Sequence, residues 1–484
     1  MSNSSAEGAA AGADGLESFG YKQELKRTLS PFDLLVYGLV FIVPTAPWSS
    51  FGFVYNASHG MVPLVYAVGL VAMLFTAFSY MTMSAAFPVA GSVYAYAGRG
   101  ISESAGFLAG WALLLDYLLL PTLIYVICAV AVHAVAPVLP KAFLVVLFLG
   151  LNTAVNLFGI ESTARLSILM LGLQMVLLLL FMGLCVVGLI HGTAGAHIAL
   201  APLFDAHKVN PSLIFGALSL AVLSFLGFDA ISTLTEEAKG GAKAVGTATI
   251  LSLLLAAGLF ILQTYLASLF VLGRARFAEG DEATTAFLMI AKIVGGEPMR
   301  WAVSLLGVLF GGLAGALTAQ AATARLLYSM ARDGMLPRPL AKVSAKRQTP
   351  DRAILLVAVI TVALGVSLVN QLELLTSMVN FGALTGFLAL HLSVVTHFML
   401  RQKSRRWFMH LVSPVIGFAI IAYVLINAEA NAKIAGLCWM AVGIAVVVAL
   451  KMSGKRTDLL LDEETQSAIS AKDETPPPPV RSTS

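Results

Sequence analysis

The chain has 484 residues, of which 58% are hydrophobic and only 12% are charged, and its net charge is +4. Because soluble domains carry about 25% charged residues, this composition excludes a soluble globular fold, a disordered chain and a nucleic-acid-binding protein. From Leu34 to Gly98 there is no Asp, Glu, Lys or Arg. That run is long enough for two bilayer crossings at about 20 residues each. We therefore predict an all-α integral membrane protein embedded in the lipid bilayer.

Apolar runs bounded by charges or by Pro and Gly clusters predict twelve membrane-spanning helices. These spans lie near residues 33–55, 62–86, 105–136, 142–158, 165–190, 212–235, 247–273, 300–328, 352–370, 373–399, 409–427 and 433–451. Of the 30 Lys and Arg residues, seven fall in the loops on one side, namely Lys141, Lys208, Arg274, Arg276, Lys292, Arg300 and Lys433. Since cytoplasmic loops carry the excess of Lys and Arg, we expect both termini in the cytoplasm and a bacterial inner (plasma) membrane location.

The two ends of the chain lack apolar periodicity. Residues 1–30 are rich in Ser, Ala and Gly and then charged, and residues 452–484 include the run Pro476–Pro479. Such composition cannot bury enough apolar surface to order a segment. We expect disordered cytoplasmic tails at both ends.

The three cysteines indicate neither a disulfide framework nor a metal site. Cys128, Cys185 and Cys438 lie inside apolar segments and have no CxxC spacing, so they are expected to pack as small hydrophobic side chains. No metal and no cofactor is expected.

Two predicted spans are interrupted in a way that the others are not. The first contains VPTAPWSSFGF (Val43–Phe53), with two prolines in mid-span, and the sixth contains SFLGFDAIST (Ser224–Thr233), with Gly227 and Asp229 deep in an apolar run. Irregular backbone at membrane depth survives only when it is buried in protein or lines a wet cavity. Broken helices at matching places in two halves indicate the binding site of a transporter.

Four stretches resemble segments of one known family. They are Phe87–Pro121, GFDAISTLTEEAKG (Gly227–Gly240), ARLLYSMARDGMLP (Ala324–Pro337) and NFGALTGFLALHLSVVTHF (Asn380–Phe398). Together they resemble the amino acid–polyamine–organocation family of secondary transporters, and the chain is most similar to its putrescine-importer branch. The resemblance covers roughly residues 25–455.

The resemblance implies a LeuT-like five-plus-five inverted repeat, in which helices 1 and 6 are broken. Residues 31–200 would form the first repeat (helices 1–5) and residues 201–400 the second (helices 6–10). Residues 401–451 would add helices 11 and 12. It also implies a central substrate site between spans 1, 3, 6, 8 and 10, which opens alternately to the two sides of the membrane.

The breaks suggest how a substrate could be held. Unwinding of span 1 would free backbone N–H groups near Ser49 at a helix N-terminus, where the positive dipole end favours a carboxylate. The alternative is a proline-kinked helix in which the serines are satisfied. Aromatic rings beside the breaks could stack on an ammonium group or simply pack. The candidate substrate-binding residues are Trp48, Ser49, Ser50, Gly52, Tyr117, Phe225, Gly227, Phe228, Asp229 and Asn380.

Two acidic residues lie deep in apolar spans, where an unpaired charge is costly and commonly marks a pathway. Asp229 could attract a substrate ammonium, cap the broken turn or carry a coupling proton. Asp116 could carry a proton or have a structural partner. Proton coupling is our expectation, and Thr318 is a candidate for the alternative, sodium. Glu236 and Glu237, beside Lys239, are expected to form a solvated ion-pair cluster or an inner gate.

The resemblance leaves the substrate open between two classes. Putrescine importers of the family have an acidic residue at about the position of Ser49, and a diamine needs a carboxylate at each end of its site. Only Asp229 is expected to face the site, which favours a monoamine or a zwitterionic amino acid. The branch resemblance favours a putrescine-like polyamine.

The predicted function is a secondary active transporter that imports a small amine or amino acid by proton symport. An amino acid/amine exchanger and a membrane nutrient sensor that does not transport are the alternatives. The sequence contains no HExxH, GxSxG or Walker A pattern that would favour an intramembrane enzyme.

Overall fold

The computed structural model describes residues 23–278, 281–428 and 430–452. Within these ranges the only extended pairing is an isolated parallel bridge between Leu29 and Ala238. All other regular structure is helical, and the all-α prediction is confirmed.

Fifteen α-helices follow one another along the described chain. They are α1 (Pro31–Ile42), α2 (Pro47–Ala57), α3 (Val62–Ala86), α4 (Ser92–Gly100), α5 (Glu103–Val135), α6 (Lys141–Phe158), α7 (Ile160–Ile190), α8 (Pro211–Ala221), α9 (Gly241–Ser268), α10 (Asp281–Trp301), α11 (Leu313–Arg332), α12 (Asp351–Ser367), α13 (Leu372–Val394), α14 (Ser413–Ile426) and α15 (Ala430–Met452). The 3₁₀ segments are Thr193–Gly195, Val222–Phe225, Phe228–Glu237, Leu269–Val271 and Arg338–Ala341, and the π-helical segments are Ala302–Gly312, Val395–Arg401 and Phe408–Val412.

Nine helical stretches of the described chain are long and apolar enough to cross a membrane, or ten if the bent pair α1 and α2 forms one span. Helix is present in each of the twelve predicted segments, although α12 is only 17 residues long. The prediction of a multi-pass membrane protein is confirmed. Helices α4 and α10 lie where the sequence predicted loops. The prediction missed them because each is too short or too polar to resemble a membrane span.

The break in span 1 lies between α1 and α2, whose axes differ by 54°. Val43 has a positive φ of 59°, and Pro47 starts α2 at the first helical position, where its missing N–H costs nothing. The prediction had placed free amides at Ser49–Gly52, but these residues are helical. The break therefore lies earlier, at residues 43–46.

The break in span 6 is centred on a glycine. After α8 and one 3₁₀ turn, Gly227 adopts a φ of +117° before the 3₁₀ segment Phe228–Glu237 begins. A side chain here would be strained by this backbone conformation and would overlap Phe41 of α1. The glycine thus allows the turn and the close approach of spans 1 and 6.

The segment 23–30 is ordered, which corrects the predicted disorder of residues 1–30 for this part. Leu25 and Leu29 are buried, and the backbone of Leu29 bonds to Glu237 and Lys239 on both sides of its bridge. The Gln23 amide donates to the Glu236 carbonyl at 2.9 Å. The two leucines supply the apolar anchor that the rest of the tail lacks. Residues 1–22 and 453–484 lie outside the described residues.

Two buried ion pairs join the end of span 6 to α11, and we call these four residues the ion-pair cluster. Glu237 accepts hydrogen bonds from Nε and Nη2 of Arg325 at 2.5 and 3.0 Å. Glu236 accepts from both Nη atoms of Arg332 at 3.1 and 2.9 Å and from the Ala90 amide at 2.9 Å. Both glutamates are at most 1% exposed. The solvated reading of these residues is therefore wrong, because they lie beneath segment 23–30 and against α11.

We expect the substitution Arg325→Met to destabilise the protein strongly, because it leaves the Glu237 carboxylate buried without its partner. Removing one member of a buried pair costs about 3–5 kcal/mol. Thermal unfolding of the purified protein in detergent measures the effect. The control is Lys26→Met, which removes the ion pair between Lys26 and Glu161. Both of these side chains are about half exposed to solvent. Equal unfolding temperatures for the two variants would contradict the prediction.

Candidate substrate-binding site

The Asp229 carboxylate lies at the break of span 6 and is 1% exposed. Its Oδ1 accepts the backbone N–H of Gly227 at 3.2 Å, and its Oδ2 accepts the Tyr117 hydroxyl of α5 at 2.7 Å. The first contact caps the broken turn, and the second joins span 6 to span 3. Two of the carboxylate's lone-pair directions are thus used, while an ionised carboxylate has about four acceptor positions.

Aromatic rings pack against Tyr117 and around Phe228, the residue that precedes Asp229. The Phe41 ring lies 6.3 Å from that of Tyr117. On the span 6 side, Phe228 contacts Phe387 of α13 at 5.8 Å, and Tyr80 of α3 meets both rings edge-on at 6.0 and 6.1 Å. We call Tyr80, Phe228 and Phe387 the aromatic cluster. Such faces and edges can cover an alkyl chain or attract an ammonium group.

A second buried carboxylate belongs to the same region. Asp116 is 2% exposed and precedes Tyr117 on α5, the residue whose hydroxyl donates to Asp229. Gly382 lets α13 approach closely, since an added Cβ would lie 2.7 Å from the Asp116 amide nitrogen. Asp116 is the second acidic candidate of the sequence, and its Oδ1 atom has no hydrogen-bond partner among the described residues.

Asn380 lies on α13, seven residues before Phe387 and hence on the same helix face. The residue is partly buried, and its Oδ1 atom accepts no hydrogen bond from any described residue. Its side-chain carbonyl is an available acceptor on the helix that carries part of the aromatic cluster.

Trp48 has a structural role at the start of α2. Its indole nitrogen donates to the Gln263 side chain of α9 at 2.6 Å, and its ring stacks on Phe287 of α10 at 5.2 Å. The Gln263 amide in turn donates to the Pro44 carbonyl at 2.8 Å. Gln263 therefore satisfies the carbonyl that the break leaves free. Sequence reasoning missed this residue, although a glutamine inside an apolar span is a recognisable signal.

The remaining span 1 candidates contact residues other than Asp229. Ser49 is exposed, and its hydroxyl donates to the Ala46 carbonyl at 3.0 Å. The Ser50 hydroxyl pairs with the Tyr66 hydroxyl at 3.0 Å. Gly52 packs against α10, where an added Cβ would lie 2.8 Å from Ala286 Cβ. Both serine hydroxyls thus have hydrogen-bond partners, as in the kinked-helix alternative.

Phe225 belongs to a second group centred on Tyr66 of α3. The Tyr66 ring lies 5.8 Å from Phe225, and its hydroxyl also contacts the Ser224 hydroxyl at 3.1 Å. The structure therefore gathers Ser50 and Phe225 around Tyr66. It gathers Tyr117, Gly227, Phe228 and Asp229 around the span 6 break.

The hydroxyl of Thr318, the sodium candidate, donates to the Gly315 carbonyl of its own helix at 2.9 Å. At the span 1 break, the Thr45 hydroxyl accepts the Gln174 amide of α7 at 2.8 Å. Side-chain amides from spans 5 and 7 thus supply partners for the polar groups that the break exposes.

The profile of the family described as "Amino acid permease" matches residues 34–450 of this sequence. The chain belongs to the amino acid permease family. The low-affinity putrescine importer PlaP of Escherichia coli K12 is 33% identical over 438 residues, which cover 89% of this chain and 95% of PlaP. The family resemblance seen in the sequence is confirmed.

The names of other relatives refer to different substrates. The branched-chain amino acid permease BcaP of Bacillus subtilis is 27% identical, over 88% of this chain and 93% of BcaP. A methylthioribose transporter of the same organism is 26% identical, also over 88% of this chain and 93% of its own length. The prediction of a membrane transporter is confirmed at the level of the family.

We expect Asp229→Asn to lower the initial rate of substrate uptake at least about tenfold. An amide keeps the shape but loses the charge, and a charge-assisted hydrogen bond is worth about 1.5–3 kcal/mol. The matched variant Tyr117→Phe removes one donor to Asp229 and keeps the charge, so its loss should be smaller. Uptake of labelled substrate, normalised to protein in the membrane, measures both. Near-normal uptake by Asp229→Asn would rule out an essential charge.

Proposed function

We propose that this permease is a secondary active importer of a small amine-bearing solute, working by alternating access and driven by protons. It acts in the bacterial plasma membrane with both termini in the cytoplasm. The observation that carries the proposal is the buried Asp229 carboxylate at a helix break, held by Tyr117 and faced by aromatic rings. An intramembrane carboxylate of this kind is expected to serve a substrate or ion pathway.

The proposed architecture has twelve spans, with helices 1–5 and 6–10 as inverted repeats. In its support, the helix axis bends by 54° between α1 and α2, and the helical backbone of span 6 is interrupted at Gly227, whose φ is +117°. These are the first spans of the two predicted groups of five. Matching breaks of this type occur where transporters bind substrate near the bilayer midplane.

The proposed substrates share an amino group that is positively charged at neutral pH. The printed names of PlaP and BcaP refer to putrescine and to branched-chain amino acids, both of which carry this group. A buried carboxylate beside aromatic rings suits an ammonium. The amides of Trp48 and Ser49 at the start of α2 already bond to the Thr45 and Ala46 carbonyls, which weakens the case for a carboxylate site there.

Protons are the proposed coupling ion, because two titratable carboxylates, Asp229 and Asp116, lie buried near the span 6 break. The Thr45 and Pro44 oxygens instead accept hydrogen bonds from the side-chain amides of Gln174 and Gln263. A sodium ion prefers oxygen ligands that are not already taken by donors.

The proposed inner gate is the ion-pair cluster together with segment 23–30. It ties the span 6 end to α11 and to the Ala90 amide. Opening toward the cytoplasm would separate these groups and release Leu29 from Ala238. The gate is thus a set of directional bonds that can form in one state and break in the other.

The function is tested by competition uptake in a bacterial strain that lacks its own amine and amino acid carriers. Labelled putrescine is run against neutral, cationic and acidic amino acids, with and without a protonophore. Saturable uptake of an amine or amino acid that collapses with the protonophore is the expected result. Uptake that never saturates would indicate a channel, and uptake that requires a counter-substrate would indicate an exchanger.

The gate gives a separate prediction. Ser232 is buried in the 3₁₀ segment of span 6, so a cysteine there reports opening. In a Cys438→Ser background, Glu236→Gln should let an impermeant thiol reagent label Ser232→Cys several-fold faster from the cytoplasmic face, because the bonds to Arg332 weaken. The control is Glu161→Gln, whose ion pair is solvent-exposed. Unchanged labelling relative to this control would contradict the gating role.

A further inference from the structure

Two buried carboxylates share the centre of the molecule without a protein cation between them. Asp116 directly precedes Tyr117, whose hydroxyl donates to Asp229 at 2.7 Å, and among the salt bridges formed by the described residues neither carboxylate takes part in one. Like charges repel strongly in a medium of low dielectric constant. The pair is therefore stable only when protons or a bound cation neutralise it.

The two carboxylates differ in how well the protein satisfies them. Asp229 accepts hydrogen bonds from Tyr117 and Gly227. Asp116 Oδ1 is fully enclosed, yet it has no hydrogen-bond partner in the described part of the chain. A buried polar atom without a partner is costly and requires an explanation. A ligand that brings its own N–H donors would supply the missing bonds.

The groups around Asp116 fit a ligand with a polar end and an apolar middle. The Tyr80 hydroxyl interacts electrostatically with both carboxylates. Ser92 approaches it, but neither hydroxyl completes a hydrogen bond within the described residues. The rings of Tyr80, Phe228 and Phe387 meet at 5.8–6.1 Å and provide an apolar wall. Unpaired acceptors and an apolar wall together match an alkyl chain with a charged end.

We propose that Asp116 is the second cation-binding residue of the site, and that with Asp229 it selects a diamine, an aliphatic chain with an ammonium group at each end. This inference rests on the proposed function and specifies its substrate class. Each carboxylate accepts hydrogen bonds from one ammonium, and the aromatic cluster covers the methylene chain. The doubly charged ligand neutralises both carboxylates at once.

Selectivity follows from the same charges. A monoamine of equal length leaves the Asp116 carboxylate unpaired, and a zwitterionic amino acid brings its own carboxylate toward it. Both outcomes carry a repulsive or desolvation cost that the diamine avoids. A diamine site needs two acids, and Ser49 of span 1 does not supply one. In the proposed site Asp116 of span 3 supplies the second acid instead.

The test measures binding to the purified full-length protein by competition against labelled putrescine. The competitors are butylamine and 4-aminobutyrate, which keep the chain length and replace one ammonium by a methyl or a carboxylate. The wild type should prefer putrescine over both. Asp116→Asn should lose about tenfold or more of its putrescine affinity and leave butylamine affinity nearly unchanged. Asp351→Asn, outside the site, should behave as the wild type.

Three results would overturn the inference in different ways. An unchanged putrescine-to-butylamine ratio in Asp116→Asn, together with loss of pH-driven accumulation, would make Asp116 a proton carrier. Import of amino acids but not putrescine by the wild type would refute the diamine class and leave the proposed function intact. No uptake of any amine or amino acid would refute the proposed function itself.

Asp116→Ser and Asp116→Glu replace Asp116→Asn if that variant does not fold, and size-exclusion chromatography checks the folding of each. Only Asp116→Glu should retain the preference for a diamine.

Discussion

The organisation of this permease depends on one constraint, the need to satisfy polar groups where two helices break inside an apolar bundle. At span 6 the Asp229 carboxylate caps the Gly227 amide and accepts the Tyr117 hydroxyl. At span 1 the side-chain amides of Gln263 and Gln174 bond to Pro44 and Thr45. No water competes for these groups in hydrocarbon, so each break draws specific polar side chains from spans 3, 5 and 7 into the centre.

The same constraint bears on the proposed alternating access, in which the centre would change state while its surroundings stay packed. The broken segments carry few of the regular backbone bonds that hold the long helices together. Their geometry is set by a small number of side-chain contacts, which a bound cation or proton can replace. At the span 6 end, the ion-pair cluster uses strong but directional bonds that either form completely or break. Alternating access requires two such states, one with these bonds formed and one with them broken.

The sequence predicted the helical membrane fold well, because long apolar runs are strong local signals. In span 6, Gly227 and Asp229 stand out in the sequence, and the backbone turns at Gly227. In span 1 the break at residues 43–46 lies within the predicted stretch Val43–Phe53, but the chain is helical from Pro47 onward, since prolines tolerate the first turn of a helix as readily as they interrupt one. The contact of Tyr117 with Asp229 and the pairing of Glu237 with Arg325 depend on tertiary contacts between distant segments, and no local pattern encodes them.

Segment 23–30 has a practical consequence for anyone who handles this protein. Its leucines and its bridge to Ala238 make it part of the folded bundle, and not a tether that leads into it. A protein truncated beyond Leu29 would expose the backbone of residues 237–239 to solvent. Affinity tags, fluorescent fusions or truncated versions for crystallisation therefore belong upstream of Gln23.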